Sequence, residues 1–497
     1  MKNNNDLFLL IKSLTKTEKR HFNLFASTHT GGKNSKLVKL YKAINKQEIY
    51  AEEKLKSQFE GQALSTELNV YKGLLYKLIL KSLRNFHSGK TITLKIREEL
   101  DYIELLYEKL LYNKCKEKIN KIKKLIYQFD LNNFLPEIIE WEIKIFREVD
   151  ERKDNIKIPK LLHENELIIA KLKELNAYNL LDTDIRNFAD IYGDIRDVEK
   201  EKKLKQLLQS SLLKKNKNLA YTSLDRYLSI KSFIYYLLGD YNKAIKMNKQ
   251  RLVAIEDNNK YIEVHSDKYV TALRNQIILN MATHNKKEAY HALKQHNIYF
   301  KKLHPPSISN REKRAYYNFI FGLEMPFLAK NKDFVALTNL IEKIKDPIEL
   351  INKEKNRINK MFMLYNLATS FFLLKQYEQS TIYFEHLLCL PSKKSRADMQ
   401  SMARTLLLFA HTELKNYRFL ISLLEHYARF IKKGHTYKFE TTILKFFKNN
   451  YDNIDNPKHM RSAYIELKKN LIHIFNNPLE ANALNNFDLI DWLNKKI

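Results

Sequence analysis

The chain has 497 residues, with 87 Lys and Arg against 57 Asp and Glu, which gives a formal net charge of +30. It contains nine Gly and nine Pro, although average usage of the two together would be about 12% of a chain. Because hairpins, βαβ turns and phosphate-binding loops all need glycine, this composition argues against sheet-based folds and nucleotide-binding loops. The length predicts several domains or one elongated array.

The positive charge has two explanations that the composition leaves open. Of the 87 basic residues, 18 are Arg and 69 are Lys. Abundant Lys, Asn and Ile are what an AT-rich genome encodes, whatever the function of the protein. The alternative is a polyanionic partner, either nucleic acid or an anionic membrane surface. Since Arg is the preferred residue for phosphates and base edges, the Lys bias favours the compositional explanation.

Cysteine usage and apolar runs predict a cytoplasmic protein without membrane insertion. Cys115 and Cys389 are too few for a disulfide framework or a zinc ribbon, so a reducing compartment fits. The apolar run Leu7–Ile11 is shorter than the roughly seven to fifteen residues of a signal peptide core. Polar residues interrupt the apolar stretch Phe362–Leu374, which falls short of the ~18 residues that span a bilayer.

Residues 1–90 are predicted to form a separate, basic, helical N-terminal region, with 17 Lys and Arg against 7 Asp and Glu. Thr15 and Glu18 match a capping box, in which Thr15 caps a helix and Glu18 reaches back to it. The pattern of Leu64–Phe86 predicts a long helix with apolar side chains on one side. Four basic residues of this helix are candidate contacts for a polyanion: Lys72, Lys77, Lys81 and Arg84.

A helical hairpin is predicted next, within a region of divergent hairpins that covers residues 91–220. Apolar residues recur there at steps of three and four, which is typical of one helix face. The first stripe is Ile96, Leu100, Ile103, Tyr107 and Leu110, and the second is Cys115, Ile119, Ile122 and Ile126. The turn between the two helices is predicted at residues 112–114, which makes the pair an αα-hairpin.

The hairpin recurs further along the chain. One copy runs from Leu364-Tyr365-Asn366-Leu367-Ala368 through Phe371 to a turn at residues 375–377 and Ser380. Another contains Gly239-Asp240-Tyr241-Asn242-Lys243-Ala244 at its turn. This pattern resembles the tetratricopeptide repeat, in a divergent form of bacterial type. That family has small residues at positions 8 and 20, an aromatic residue at 11 and a turn at 15–17.

Six copies can be aligned, with position 1 at Ile96, Asp225, Val270, Asn318, Met361 and Ser401. The last five starts are 45, 48, 43 and 40 residues apart, whereas the usual period is 34. The resemblance implies an all-α fold, in which hairpins at residues 221–432 stack into an α-solenoid, a right-handed superhelix. Residues 433–497 are predicted to be a C-terminal helical cap. Ala244, Ala289, Ala368 and Ser380 are predicted to be core spacers.

The resemblance also implies a partner-binding concave face. In this family helix A lines that face with positions 2, 5, 9, 12 and 13. Aromatic residues recur there, and aromatic side chains are typical interface anchors. The candidate partner-binding residues are Phe233, Tyr236, Phe362, Tyr365, Phe372 and Phe409. Burial by neighbouring repeats is the alternative explanation of the same residues. The family's carboxylate clamp is not matched.

No catalytic, cofactor or metal motif stands out, so we expect neither an enzyme nor a cofactor. Dinucleotide and P-loop glycine patterns, HExxH and a G-x-S-x-G elbow are all missing from the sequence. Two functions are carried forward. The first is a non-enzymatic scaffold or adaptor that binds a peptide or helix of a protein partner through its concave face. The alternative is a nucleic-acid-associated regulatory protein that uses the basic N-terminal region. The oligomeric state is left open.

Overall fold

The computed structural model describes residues 5–29, 35–149, 156–214, 219–303, 310–344, 346–391, 395–432 and 437–497. All regular structure within these ranges is helical, which confirms the all-α prediction. The chain forms two compact units. The first comprises residues 1–168 and 305–313, and the second comprises residues 169–304 and 314–497. The four-part division made from the sequence stays a prediction.

The first unit is built from short and medium helices, and those between residues 6 and 87 share one apolar core. Its helices are α1 (Asp6–Ser13), α2 (Lys16–His29), α3 (Lys36–Lys46), α4 (Glu52–Gln58), α5 (Ala63–Thr66), α6 (Leu68–His87), α7 (Ile92–Glu108), α8 (Tyr112–Gln128), α9 (Leu135–Glu148) and the start of α10 (Lys157–Tyr192). The boundary between the units falls inside α10, after Ile168.

The second unit continues along α10 and contains the predicted repeats. Its further helices are α11 (Val198–Leu208), α12 (Ser211–Lys214), α13 (Tyr221–Leu237), α14 (Tyr241–Glu256), α15 (Asn259–Val264), α16 (Ser266–Ala282), α17 (Lys286–Leu303), α18 (Asn310–Phe319), α19 (Met325–Asn331), α20 (Phe334–Glu342), α21 (Pro347–Lys353), α22 (Arg357–Leu373), α23 (Tyr377–Cys389), α24 (Ala397–Glu413), α25 (Tyr417–Lys432), α26 (Lys438–Asn450), α27 (Pro457–Phe475), α28 (Pro478–Ala481) and α29 (Leu489–Asn494). Residues 310–313, at the start of α18, belong to the first unit. A π-helical turn, Ile320–Glu324, joins α18 to α19.

The N-terminal capping box is confirmed, and the long helix predicted after it is broken. The Glu18 amide donates to the Thr15 hydroxyl at 3.2 Å, and the Thr15 amide donates to the Glu18 carboxylate at 2.8 Å. The helix predicted at Leu64–Phe86 is instead two helices, α5 and α6. Glu67 separates them with φ −108° and ψ 26°, which interrupts the helical hydrogen bonding.

Successive helices of the second unit pack in sequence order. In each pair α13–α14, α16–α17, α22–α23 and α24–α25 the two helices contact each other, and α14 also contacts α16 while α23 contacts α24. Four first helices, α13, α16, α22 and α24, are each 17 residues long. Each hairpin therefore covers its apolar surface against its neighbour, as expected of helical repeats.

A residue in the left-handed conformation stands at position 15 of the repeat alignment in all six copies. Position 15 falls on Leu110, Gly239, His284, Lys332, Lys375 and Lys415, and each has a φ between 56° and 75°. This left-handed conformation lets the chain leave one helix and enter the next in a tight turn. The first hairpin therefore turns at Leu110, two residues earlier than predicted, and the Leu110 side chain is exposed rather than part of the apolar stripe.

The predicted spacers do lie where the two helices of a hairpin approach each other. Ala244, Ala289, Ala368 and Ser380 are at most 1% exposed. In one hairpin the Ser232 hydroxyl donates to the Ala244 carbonyl at 2.9 Å. In another the Ser380 hydroxyl donates to the Ala368 carbonyl at 2.9 Å. Positions 8 and 20 thus form the same contact twice, with the serine on the first helix in one case and on the second helix in the other.

Substitutions at the left-handed turn residues should change stability in opposite directions, depending on whether glycine is removed or introduced. Gly239 has φ 75° and open space around its α-carbon, so Gly239→Ala should destabilise by about 1 kcal/mol through backbone strain alone. Lys375→Gly, at φ 60°, should be neutral or stabilising by up to about 1 kcal/mol. Gly73→Ala, inside α6, is the matched control and should stabilise by roughly 0.5–1 kcal/mol. Urea unfolding measures all three, and a stabilised Gly239→Ala would contradict the assigned turn.

None of the helices in the described residues is both long and apolar enough to cross a membrane.

Candidate partner-binding site

The six aromatic residues predicted to bind a partner are called here the aromatic face. They lie on the first helices of three hairpins of the second unit. Phe233 and Tyr236 are on α13, three others are on α22, and Phe409 is on α24. The structure divides the six into two groups by exposure. Tyr365, Phe372 and Phe409 are 3%, 1% and 0% exposed, whereas Phe233, Tyr236 and Phe362 are partly exposed.

The buried group is covered by the end of the chain, residues 478–497, here called the C-terminal segment. The Phe372 ring lies 5.6 Å from that of Phe487 and 5.7 Å from that of Trp492, centroid to centroid. Trp492 also lies 4.8 Å from Phe409. The Tyr365 hydroxyl donates to the backbone carbonyl of Asn486 at 3.0 Å. In this structure a segment of the chain itself occupies the place expected for a partner. Whether a partner also binds there stays a prediction.

The partly exposed group has a different environment. An Arg396 guanidinium lies over the Phe362 ring, 4.6 Å from its centroid. The Phe233 ring stacks with that of Tyr236 at 6.4 Å and is approached by the Arg186 guanidinium at 5.4 Å. These three residues are therefore packed against neighbouring aromatic or cationic groups and remain partly exposed.

A buried ion-pair cluster fastens the C-terminal segment to the loop of residues 193–197. Arg196 is 8% exposed and donates to Glu440 at 2.9 Å and to Glu480 at 2.7 Å. The Asn482 side-chain amide donates to the Ile195 carbonyl at 2.6 Å. The Arg196 guanidinium therefore links three separate parts of the sequence, since Glu440 belongs to α26 and Glu480 to the C-terminal segment.

A second polar cluster lies beside the first and involves two carboxylates. Asp194 and Asp398 both accept from the Asn486 side-chain amide, at 2.8 and 3.3 Å. Arg396 forms a two-bond pair with Asp398, at 2.9 and 2.6 Å. Gly193, at φ 67°, lies so close that a Cβ there would overlap the Asp398 carboxylate. Glycine is therefore required at this position both by the backbone conformation and by the close approach.

The two carboxylates differ in their acidity. Burial, together with the nearby Asp398 carboxylate, raises the pKa of Asp194 to about 7. Burial opposes ionisation of Asp398 as well, but the Arg396 guanidinium holds the pKa of that carboxyl below its usual range. Asp398 is thus the ionised member of the pair, and Asp194 is the member that holds a proton in mildly acidic solution.

Asp194 predicts a pH dependence of stability. Between about pH 4 and pH 7 the folded chain keeps the Asp194 proton that the unfolded chain has lost, so stability should fall as pH rises. The slope reaches about 1.4 kcal/mol per pH unit at most. Asp194→Asn should flatten this fall between pH 4 and pH 7, and Asp184→Asn, on the exposed side of α10, is the control. Identical melting-temperature profiles for Asp194→Asn and the parent would refute the assignment.

The four basic residues singled out on α6 do not form one free basic surface. The Lys72 ammonium is buried, lies 2.8 Å from the Glu52 carboxylate and sits over the Tyr50 ring. Its charge is therefore already neutralised within the first unit. Arg84 is exposed but pairs with Asp101. Lys77 and Lys81 are exposed, and neither pairs with an acidic residue among those the structure describes.

Sequence reasoning missed the C-terminal segment and the 193–197 loop as parts of this site. A signal for the segment was present, since Trp492 is one of two tryptophans in the chain and stands near Phe487. Within the described ranges no group of three or more His, Cys, Asp and Glu residues is arranged to hold a metal ion. The chain matches no protein-family model and no curated protein.

Proposed function

We propose that the chain is a scaffold or adaptor without enzymatic activity, built from tetratricopeptide-like hairpins in a solenoid, which binds a helical segment of a protein partner on the aromatic face. The observation that supports this most is the occupation of that face by the chain's own C-terminal segment. A surface that accommodates Phe487 and Trp492 has the shape and apolar character to accept aromatic anchors. Buried aromatic anchors supply most of the binding energy in interfaces of this kind.

The partly exposed residues give the partner its entry point. Phe362 and Phe233 are partly exposed, and Arg396 and Arg186 lie against them. These two guanidinium groups already pair with Asp398 and Asp182, so the apolar anchors of the partner helix make the first contact. In this proposal the partner first contacts Phe362 and then extends towards Tyr365 and Phe372, which share one face of α22.

Site-specific photo-crosslinking tests the proposal in the full chain. A photoreactive phenylalanine at Phe362 should capture a discrete partner from extracts of cells that express the protein. The matched control places the same photoreactive phenylalanine at Phe419, which is 62% exposed on α25, and this chain should capture no partner. Phe233→Ala in the Phe362 crosslinking chain should reduce the yield, because both rings belong to the aromatic face. Equal products from both positions, or no product at Phe362, would contradict the proposal.

Nucleic-acid binding by the first unit is the second candidate, and the exposed, unpaired ammonium groups of Lys77 and Lys81 favour it. Each phosphate contact contributes about −0.9 to the log–log slope of affinity against salt. Lys77→Glu with Lys81→Glu should therefore reduce the slope for duplex DNA by about 2. Lys39→Glu with Lys54→Glu, both exposed in the same unit, is the control. Equal losses in both double variants would mean that bulk charge alone is responsible.

A further inference from the structure

We infer that the C-terminal segment is a displaceable ligand of the aromatic face, held in cis, and that the partner's docking helix has the same chemistry and competes with it. This inference rests on the proposed function for the partner, but the behaviour of the segment can be tested alone. The partner's helix would carry the same groups as the segment. In the segment these are, in chain order, Glu480, the aromatic Phe487 seven residues later, and Trp492-Leu493 five residues after that.

The segment is built like the apolar side of a docking helix. Phe487, Leu489, Trp492 and Leu493 are between 0% and 6% exposed, whereas Asp488, Asn494 and Lys495 are exposed. Leu489, Trp492 and Leu493 thus lie on one face of α29, and Phe487 is buried just before that helix begins. Phe487 and Trp492 supply the two aromatic anchors, and the Asn486 carbonyl accepts the Tyr365 hydroxyl. A partner helix with these groups would satisfy the same donors and fill the same spaces.

Polar and charged contacts fasten the segment in addition to its apolar ones, which belong to the core of the second unit. Glu480 binds Arg196, Asn482 binds the Ile195 carbonyl, and Asn486 is shared between Asp194 and Asp398. Buried ion pairs of this kind add little net stability, because desolvation offsets their attraction. They do, however, fix the register and specificity of a contact.

The connection of the segment to the rest of the chain permits release. Residues 476–478, between α27 and α28, are exposed, and they form the one covalent link on the N-terminal side of the segment. Movement about this exposed turn would carry the segment away from the aromatic face. Opening would remove Trp492 from both Phe372 and Phe409, while Phe446, Phe447 and Tyr464 stay against Phe409.

A protease site inserted between Asn476 and Asn477 provides the test in the full chain. After cleavage, a fluorescein-labelled peptide of residues 478–497 should exchange into the cut chain, as followed by anisotropy. The uncut chain should bind the same peptide about 100-fold more weakly or not at all, because its own segment occupies the face. A peptide with Phe487→Ala and Trp492→Ala should lose about 100-fold or more in affinity, and one with Asn494→Ala, an exposed position, should bind normally.

Hydrogen exchange of the uncut chain is the second measurement. Amides of residues 487–493 should exchange faster than those of α22 and α24, since a reversible ligand opens locally while the hairpins stay folded. Unfolding of the chain on cleavage, no exchange of peptide into the cut chain, or equal protection of residues 487–493 and α22 would each overturn the inference. If the peptide exchanges but no partner crosslinks at Phe362, the inference about the C-terminal segment stands and the proposed function fails. The two failures are therefore distinguishable.

Discussion

Ala244→Arg is expected to destabilise the second unit by about 4 kcal/mol, because a long charged side chain would enter a close helix contact. Ala244 is 0% exposed, and its carbonyl accepts the Ser232 hydroxyl at 2.9 Å, so α13 and α14 leave no room for a larger residue. Chemical denaturation measures the loss. Val253→Arg, 55% exposed on the same helix, is the control and should change stability by less than about 0.5 kcal/mol.

An unchanged denaturation midpoint for Ala244→Arg would mean that the repeat register is wrong at this hairpin. The turn residue Gly239 would then need another explanation, since the same alignment places both positions.

Arg196→Met should be the second large effect, with a loss of about 3–5 kcal/mol, because two buried carboxylates would lose their common partner. Glu440 and Glu480 have side chains 1% and 9% exposed, so water cannot replace the guanidinium. Adding Glu440→Gln and Glu480→Gln should restore part of the stability. Arg186→Met, a partly exposed arginine that pairs with Asp182, is the control and should cost less.

The Arg196 result bears on the fold as well as on the site. A small loss in Arg196→Met, or no recovery in the triple variant, would show that Arg196 does not hold the C-terminal segment against α26.

Local signals were enough to predict much of the repeat region. Apolar periodicity gives the helices, and the turn at positions 15–17 of the alignment gives the hairpin register. Ala244 and Ala368 were placed correctly because position 8 and position 20 must be small wherever two helices approach closely. The capping box at Thr15 was equally readable, since both of its hydrogen bonds involve neighbours in sequence.

Contacts between distant parts of the sequence could not be predicted in this way. Nothing in the local pattern of Arg196 indicates that it binds Glu440 and Glu480, which are 244 and 284 residues away. The burial of Phe372 and Phe409 has the same origin, because the covering residue Trp492 comes from the end of the chain. Periodicity identifies a helix face that must be covered, but it does not say which element covers it.

Lys72 illustrates a related limit. Its position on α6 suggested a solvent-facing charge, yet Glu52 from α4 comes close enough to bind it. The same helix keeps Lys77 and Lys81 exposed, so position on one helix does not decide which lysines are paired by a neighbouring element.

Trp492 allows the occupation of the aromatic face to be measured directly. In a Trp141→Phe chain it is the sole remaining tryptophan, and its side chain is buried against Phe372 and Phe409. We expect blue-shifted emission and weak quenching by acrylamide in the resting chain, and red-shifted, readily quenched emission once a saturating docking helix displaces the C-terminal segment. The account would be contradicted if acrylamide quenched Trp492 as strongly in the resting chain as in the free 478–497 peptide. It would also be contradicted if Trp492 stayed shielded while the docking helix was bound at Phe362.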